Sequence, residues 1–269
     1  MEEKLLQMKS LVERLNQASD SYYNGKGELM TDYEWDALFD QLKRLEEETG
    51  EILPDSPTNR VSEDSIVGKK EEHEFAALSL AKTKQVSDLV KWAEDRPIWI
   101  SWKLDGLTLV VTYDGGKLTK IVTRGNGHIG TNITHLAPAI SGIPATISEK
   151  GHLVVRGEAV ISYADFEQFI IESEGDYANP RNLASGSLTL KDIEEVKQRH
   201  IQWIPFTLVY TERELTSWGE RMQMLKDLGM NPVERERIDH PTTENIQLEI
   251  DKFTEKVTSK KNPFPVDGL

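Results

Sequence analysis

The residues best suited to chemistry lie in Ile100-Ser101-Trp102-Lys103-Leu104-Asp105-Gly106, where a lysine and a carboxylate stand two apart in strongly apolar sequence. A lysine there must either reach the solvent face or lose part of its hydration. Desolvation disfavours the ammonium form and turns the amine into a usable nucleophile near neutral pH. On a regular strand Asp105 shares the face of Lys103. Gly106 lets another backbone or a ligand come close. Taken alone, Lys-x-Asp-Gly is better explained by an ordinary surface lysine on an edge strand.

A second group is Tyr22, Tyr23 and Asp32-Tyr33-Glu34-Trp35-Asp36. Asp32, Trp35 and Asp36 have i, i+3, i+4 spacing, which puts them on one helical face at the helix's first turn. A helix N-terminus favours a phosphate. Tyr22 and Trp35 offer aromatic faces to a cationic ring, and the two aspartates can accept from sugar hydroxyls or an amide. Trp35 equally continues an apolar stripe and fits a core position. Arg124 and Arg181 can grip phosphate oxygens bidentately or form weak surface ion pairs. Glu158, in Val154-Val155-Arg156-Gly157-Glu158, sits near a strand end where a carboxylate can bind a ribose hydroxyl. His73 and His128 match no metal spacing, and no metal site is expected.

These groups need elements to position them. Leu5, Met8, Leu11, Val12 and Leu15 mark one face of a helix over residues 2–19. A turn-like Asn-Gly-Lys-Gly-Glu follows at 24–28. Thr31 and Glu34 have capping-box spacing, so a second helix starts near Asp32. It carries Trp35, Leu38, Phe39, Leu42 and Leu45. Polar residues 51–70, with Pro54 and Pro57, read as a linker, and the boundary falls near residue 66. Residues 98–113 read as strand, Asp114-Gly115-Gly116 as a hairpin turn, and the stretch from Lys117 to Gly125 as the returning strand. Residues 152–161 and 201–210 read as further strands, with a helix after 161 capped by Ser162 and Asp165. Two more helices follow, over 216–230 and 243–257, on either side of a short extended piece. The class is α+β: a helical hairpin, residues 1–66 with the linker, then a domain of mostly antiparallel sheet with flanking helices, residues 67–269.

The chain has 269 residues, 38% hydrophobic and 29% charged, ordinary values for a globular protein. It contains no cysteine, which excludes disulfides and thiolate metal sites, zinc included. No apolar run approaches the roughly 20 residues of a membrane helix. The acidic N-terminus has no signal-peptide character. A net charge of -14 argues against tight DNA binding by this segment alone, because Lys and Arg supply most phosphate neutralisation.

Together the motifs resemble the nucleotidyltransferases, and within them the NAD-dependent DNA ligases of bacteria and their phages. Lys103-Leu104-Asp105-Gly106, Arg124-Gly125 and Glu158 are the elements shared with ligases and capping enzymes. The NAD-specific elements are Tyr22-Tyr23, Asp32 to Asp36, Ser56 to Val61, Leu78-Ser79-Leu80, Ala178 to Asn182 and Asp267-Gly268-Leu269. They span the chain in order. The resemblance implies that Lys103 takes up AMP from NAD and releases nicotinamide mononucleotide (NMN). It also implies that Asp105 supports catalysis and that Tyr22, Tyr23, Asp32, Trp35 and Asp36 hold the NMN half. Ser79, Leu80, Ser101, Arg124, Glu158, Arg181 and Asp267 would contact the nucleotide, with magnesium offsetting phosphate charge. The expected partners are NAD, AMP, NMN and, through a longer protein, nicked double-stranded DNA. The expected setting is a cytoplasmic monomer in DNA replication and repair.

Departures from the family pattern are Ser101 for glutamate, Asn126 for aspartate, Thr131-Asn132 for a Glu-Asp or Glu-Asn pair, and Ala76-Ala77 for Pro-Met. The chain ends at Leu269 inside an expected strand, before the family's further phosphate-binding lysines and its remaining domains. It is therefore expected to be a fragment that binds NAD or AMP, forms enzyme–AMP slowly at most, and seals no nick unaided. Two alternatives stay open: a catalytically silent nucleotide-binding homologue, and an ATP- or GTP-using ligase or capping enzyme. The N-terminal hairpin argues against the second.

Overall fold

The computed structural model describes residues 2–23, 29–30, 32–53, 56–58, 68–78, 81–173 and 177–269. The first two helices are α1 (Glu2–Tyr23) and α2 (Asp32–Thr49). Met8, Leu11, Val12 and Leu15 of α1 meet Leu42 of α2 in a small core of their own, as the helical spacing requires. Trp35 completes it: its ring stacks on Phe39 with centroids 4.9 Å apart, and its Nε1 donates to Ser19 Oγ at 3.2 Å. The expected linker begins tied to this hairpin. The hydroxyls of Ser56 and Thr58 donate to the two carboxylate oxygens of Glu46, at 2.5 and 2.7 Å. The turn at 24–28, the Thr31 cap and the boundary near 66 lie outside the described residues.

The rest of the chain is built from β1 (Lys70–Glu72), α3 (Val86–Ala93), β2 (Ile98–Ser101), β3 (Lys103–Leu104), β4 (Leu107–Asp114), β5 (Lys117–Thr123) and β6 (Ile129–Thr131), then a 3-10 turn at Thr134–Ala139. There follow β7 (Leu153–Val160), α4 (Tyr163–Ser173), α5 (Pro180–Ser187), α6 (Ile193–Lys197), β8 (Gln202–Thr211), α7 (Trp218–Asp227), β9 (Arg235–Ile238), α8 (Thr243–Thr258) and β10 (Val266–Gly268). Capping boxes at Ser217/Glu220 and Thr242/Asn245 start α7 and α8. Ser162 Oγ accepts from Asp165 N at 3.0 Å at the start of α4. The class is α+β, and every paired strand is antiparallel.

The main sheet has the order β5-β4-β7-β8. Its alternation sorts the side chains. Leu109, Val111 and Tyr113 of β4 and Leu153, Val155 and Ala159 of β7 enter the large core. On the opposite face the facing pairs are Thr108 with Glu158, Val110 with Arg156 and Thr112 with Val154. Pro205 is tolerated because β8 is an edge strand.

Residues 98–113 correct the expectation of one strand. They form β2, β3 and β4, which pair with β9, β10 and the main sheet respectively. β2 and β3 share a phase and part where the partner changes from β9 to β10, whereas β3 and β4 are separated by a change of phase. Ile98, Ile100, Trp102 and Leu104 are buried at even positions in a second core with α3 and α8, whereas Leu109, Val111 and Tyr113 are buried at odd positions in the first. The switch happens across Asp105-Gly106. A Cβ built on Gly106 would lie 2.2 Å from Ala159 O and 2.7 Å from Val160 Cγ1, so no side chain fits. Gly106→Ala is expected to destabilise the chain by about 1–3 kcal/mol, the usual cost of overpacking. Urea unfolding should show a lower midpoint with an unchanged slope; an unchanged midpoint would refute this account of the close approach.

Candidate functional site

Lys103 stands on β3, antiparallel to β10, and its ammonium is ion-paired with Asp267, 164 residues away in sequence. The Lys103 side chain keeps 55% of its accessible surface. Of the two alternatives open to a lysine in this stretch, the solvent face is the one it takes. Even-numbered neighbours take up the apolar core, and the strand's alternation turns Lys103 outward. Exposed pairs of this kind contribute about 0–1 kcal/mol, so an arriving phosphate can displace the carboxylate at small cost.

Asp105 does not bond Lys103. The chain turns after Leu104, Asp105 N donates to Pro265 O at 2.8 Å, and the carboxylate pairs with Arg181. Arg181 is placed by the start of α5. Asn179 caps α5, accepting from Asn182 N at 2.8 Å, and Pro180 occupies the first helical position.

Glu158 lies in β7, buried, with Oε2 accepting from Thr108 Oγ1 at 2.8 Å. Burial pushes its carboxyl up to about 7. The Thr108 hydroxyl and the positive fields of Arg181, Lys103 and Arg124 all favour the anion, yet they do not offset the loss of hydration. Those fields also show that Lys103, Arg124, Glu158 and Arg181 share one neighbourhood.

Arg124 leads a tight loop. Its N donates to Thr108 O at 3.1 Å, and its carbonyl accepts from His73 Nε2 at 3.0 Å. Gly125 has φ +55, and a Cβ there would lie 1.9 Å from Ile129 O. Asn126 Oδ1 accepts from His128 N and Ile129 N, at 3.0 and 2.8 Å, and so closes the loop. A carboxylate oxygen would accept the same two bonds, so this departure from the family pattern leaves the loop's geometry intact.

The structure thus brings together Lys103, Asp105, Arg124, Glu158, Arg181 and Asp267. Ser101 is half-buried on β2, opposite Arg235. Trp35 belongs to the hairpin, with part of its surface open. Tyr22 and Tyr23 fall in the last turn of α1, and Asp32 and Asp36 in the first turns of α2; their side chains lie outside the described residues, as do Ser79 and Leu80. Three residues have roles that the sequence does not signal. Thr108 holds Glu158, His73 holds the Arg124 loop, and Tyr163 is close enough to Asp105 for that charge, after burial, to push its phenol up. Only the β4–β7 register could have revealed Thr108. Among the described residues no group of three or more His, Asp or Glu is placed to hold a metal ion. No described helix is long and apolar enough to cross a membrane.

An arrangement of one presented amine, two arginines and a buried carboxylate suits a nucleotide phosphate and its ribose. Comparison with known proteins agrees. Residues 69–269 match the NAD-dependent DNA ligase adenylation domain. Residues 1–62 match the DNA ligase-like, N-terminal NAD+-binding domain. Proteins named DNA ligase from Lachnoclostridium phytofermentans and Ruminiclostridium cellulolyticum are each 39% identical over 275 residues, covering 100% of this chain and 41% of theirs. One from Leptospira biflexa is 35% identical over 268 residues, covering 97% of this chain and 39% of its own. The chain therefore spans about two fifths of the length of these relatives. Matched over both its parts and in order, this chain belongs to the NAD-dependent DNA ligase family.

Proposed function

We propose that this chain is the NAD-consuming adenylation segment of a DNA ligase, divided into an NMN-binding part at 1–66 and an adenylating part at 67–269. The observation that carries the reading is the convergence of Lys103, Asp105, Arg124, Glu158, Arg181 and Asp267 from separate stretches of sequence. Lys103 Nζ, after losing a proton, attacks the α-phosphorus of NAD. A nitrogen–phosphorus bond forms, the phosphoanhydride bond breaks, and NMN leaves with the bond's electron pair. Asp267 is the acceptor in contact with the departing proton's site and frees Lys103 as the phosphate enters. Arg124 and Arg181 offset charge on the phosphate. Glu158 takes a ribose hydroxyl, and Asp105 keeps Arg181 in place. AMP then passes to the 5′-phosphate of a nick, restoring Lys103, and the 3′-hydroxyl displaces AMP. The described residues offer no protein ligand set for magnesium. The ion would be held through phosphate oxygens and water, lowering their charge. With a net charge of -14, the grip on DNA comes from other parts of a longer protein. The same reading places the chain in the cytoplasm as a monomer.

Titration calorimetry with NAD and ATP tests the donor. NAD should bind more tightly, since the hairpin adds contacts to its NMN half; equal or tighter ATP binding refutes the reading. Asp32→Ala and Trp35→Ala should weaken binding of NAD and NMN while leaving AMP nearly unchanged. Thermal melts must accompany Trp35→Ala, because the ring also packs the hairpin. An equal loss for AMP would assign both residues to the fold or to the adenylate pocket.

A further inference from the structure

Thr108 is the second residue of β4 and lies on the face opposite the main core, directly across from Glu158 in the register. Its hydroxyl donates to Glu158 Oε2 at 2.8 Å, and its carbonyl accepts from Arg124 N at 3.1 Å. One residue therefore ties down both the buried carboxylate and the backbone of a cation that faces it. Facing residues on paired strands are held at close Cβ separation, so strand pairing itself sets this contact.

The two oxygens of Glu158 are not equivalent. Oε2 is taken by Thr108. Oε1 receives no protein hydrogen bond among the described residues, and it is not fully enclosed by protein. A nearly buried carboxylate needs donors for its lone pairs. The open oxygen is thus left for a donor that comes from outside the protein.

We propose that Thr108 is a positioning residue that anchors Oε2 so that Oε1 is presented to a single ribose hydroxyl of the adenylate. This rests on the reading that Glu158 binds the ribose. A hydroxyl donated to a carboxylate also favours its charged form. The other groups facing Glu158 are cations: Arg181 from α5, Lys103 from β3 and Arg124 from the loop after β5. Removing the Thr108 hydroxyl frees the carboxyl to rotate and to keep its proton to higher pH. A residue that served packing alone would lower the melting temperature without moving that pH dependence.

The test is calorimetric titration of AMP into the wild-type chain, Thr108→Val, Thr108→Ser, Glu158→Ala and the double variant Thr108→Val/Glu158→Ala, from pH 6 to 9. Thr108→Val should bind AMP about 3- to 10-fold more weakly at pH 7, the worth of one such hydrogen bond. Raising the pH should shrink that loss, because the carboxyl ionises again. Thr108→Ser should stay within about twofold of wild type, since it keeps the same donor. In the Glu158→Ala background, Thr108→Val should cost nothing further. Should valine unfold the chain, Thr108→Ala gives the same readout without added bulk. Wild-type affinity for Thr108→Val at every pH, or the same loss with Glu158 already removed, overturns the role of Thr108 while leaving the ribose reading intact. Unchanged AMP binding by Glu158→Ala overturns the ribose reading and, with it, this proposal.

Discussion

Replacing Lys103 by arginine should abolish the covalent adenylate while leaving nucleotide binding within a few-fold of wild type. Arginine keeps the positive charge beside Asp267 and so preserves the ground-state attraction for phosphate. It cannot give up a proton to become a nucleophile. Incubated for hours with NAD and magnesium, the wild-type chain should gain the mass of one adenylyl group. The variant should gain none, a loss of at least on the order of a thousandfold, as expected when a covalent nucleophile is removed. Peptide mapping should place the adduct on Lys103. An adduct in the arginine variant, or one mapped to another residue, would overturn the assignment.

Replacing Glu158 by glutamine should move stability and binding in opposite directions. The carboxyl is pushed up to about 7 in the folded chain, above its value of 4.5 when solvated. A raised value means that the folded state binds the proton more tightly. This contribution to stability is fully present below about pH 4.5 and is lost as the pH rises through about 7. The loss is on the order of 3 kcal/mol at most. Glutamine stays neutral and still offers an oxygen to Thr108. Its advantage over wild type should therefore grow between pH 5 and pH 8.5, whatever its fixed cost. Nucleotide affinity should fall by about 10- to 100-fold at pH 8.5, since a ribose hydroxyl then loses a charged acceptor. Urea midpoints at the two pH values and calorimetry with AMP check both halves. A stability gap that does not change with pH would remove burial as the cause of the shift, and unchanged affinity would remove Glu158 from the ligand.

The same residue carries a lesson about design. Placing a carboxylate among Arg181, Lys103 and Arg124 looks like simple charge pairing, yet burial outweighs all three. Holding that carboxylate ionised therefore costs the fold stability at neutral pH. Fold stability alone would not select glutamate there.

The amino-acid sequence by itself determined the class and most of the elements, because those follow from local periodicity. Spacing at three and four residues marks α1, α2, α7 and α8, and alternation marks β4, β5, β7 and β8. It also determined the roster of chemical groups, since Lys103, Arg124, Glu158, Arg181 and Asp267 all stood in short motifs. What it did not determine was who meets whom. Local spacing put Asp105 beside Lys103, but the turn at Gly106 sends the two to different partners, Arg181 and Asp267. The stretch 98–113 looked like one strand because every part of it is apolar; the phase change across Asp105-Gly106 separates β4, and only the change of partner from β9 to β10 separates β2 from β3. Exposure of Lys103 and burial of Glu158 were likewise beyond the sequence, since both sit in equally apolar runs. Those properties depend on which face of which sheet is covered, and that is decided by pairings between residues 50 to 164 apart. Contacts at such separations leave no local periodic trace, so the electrostatics of the site, and the hold that Thr108 has on it, emerge only when the sheets are assembled.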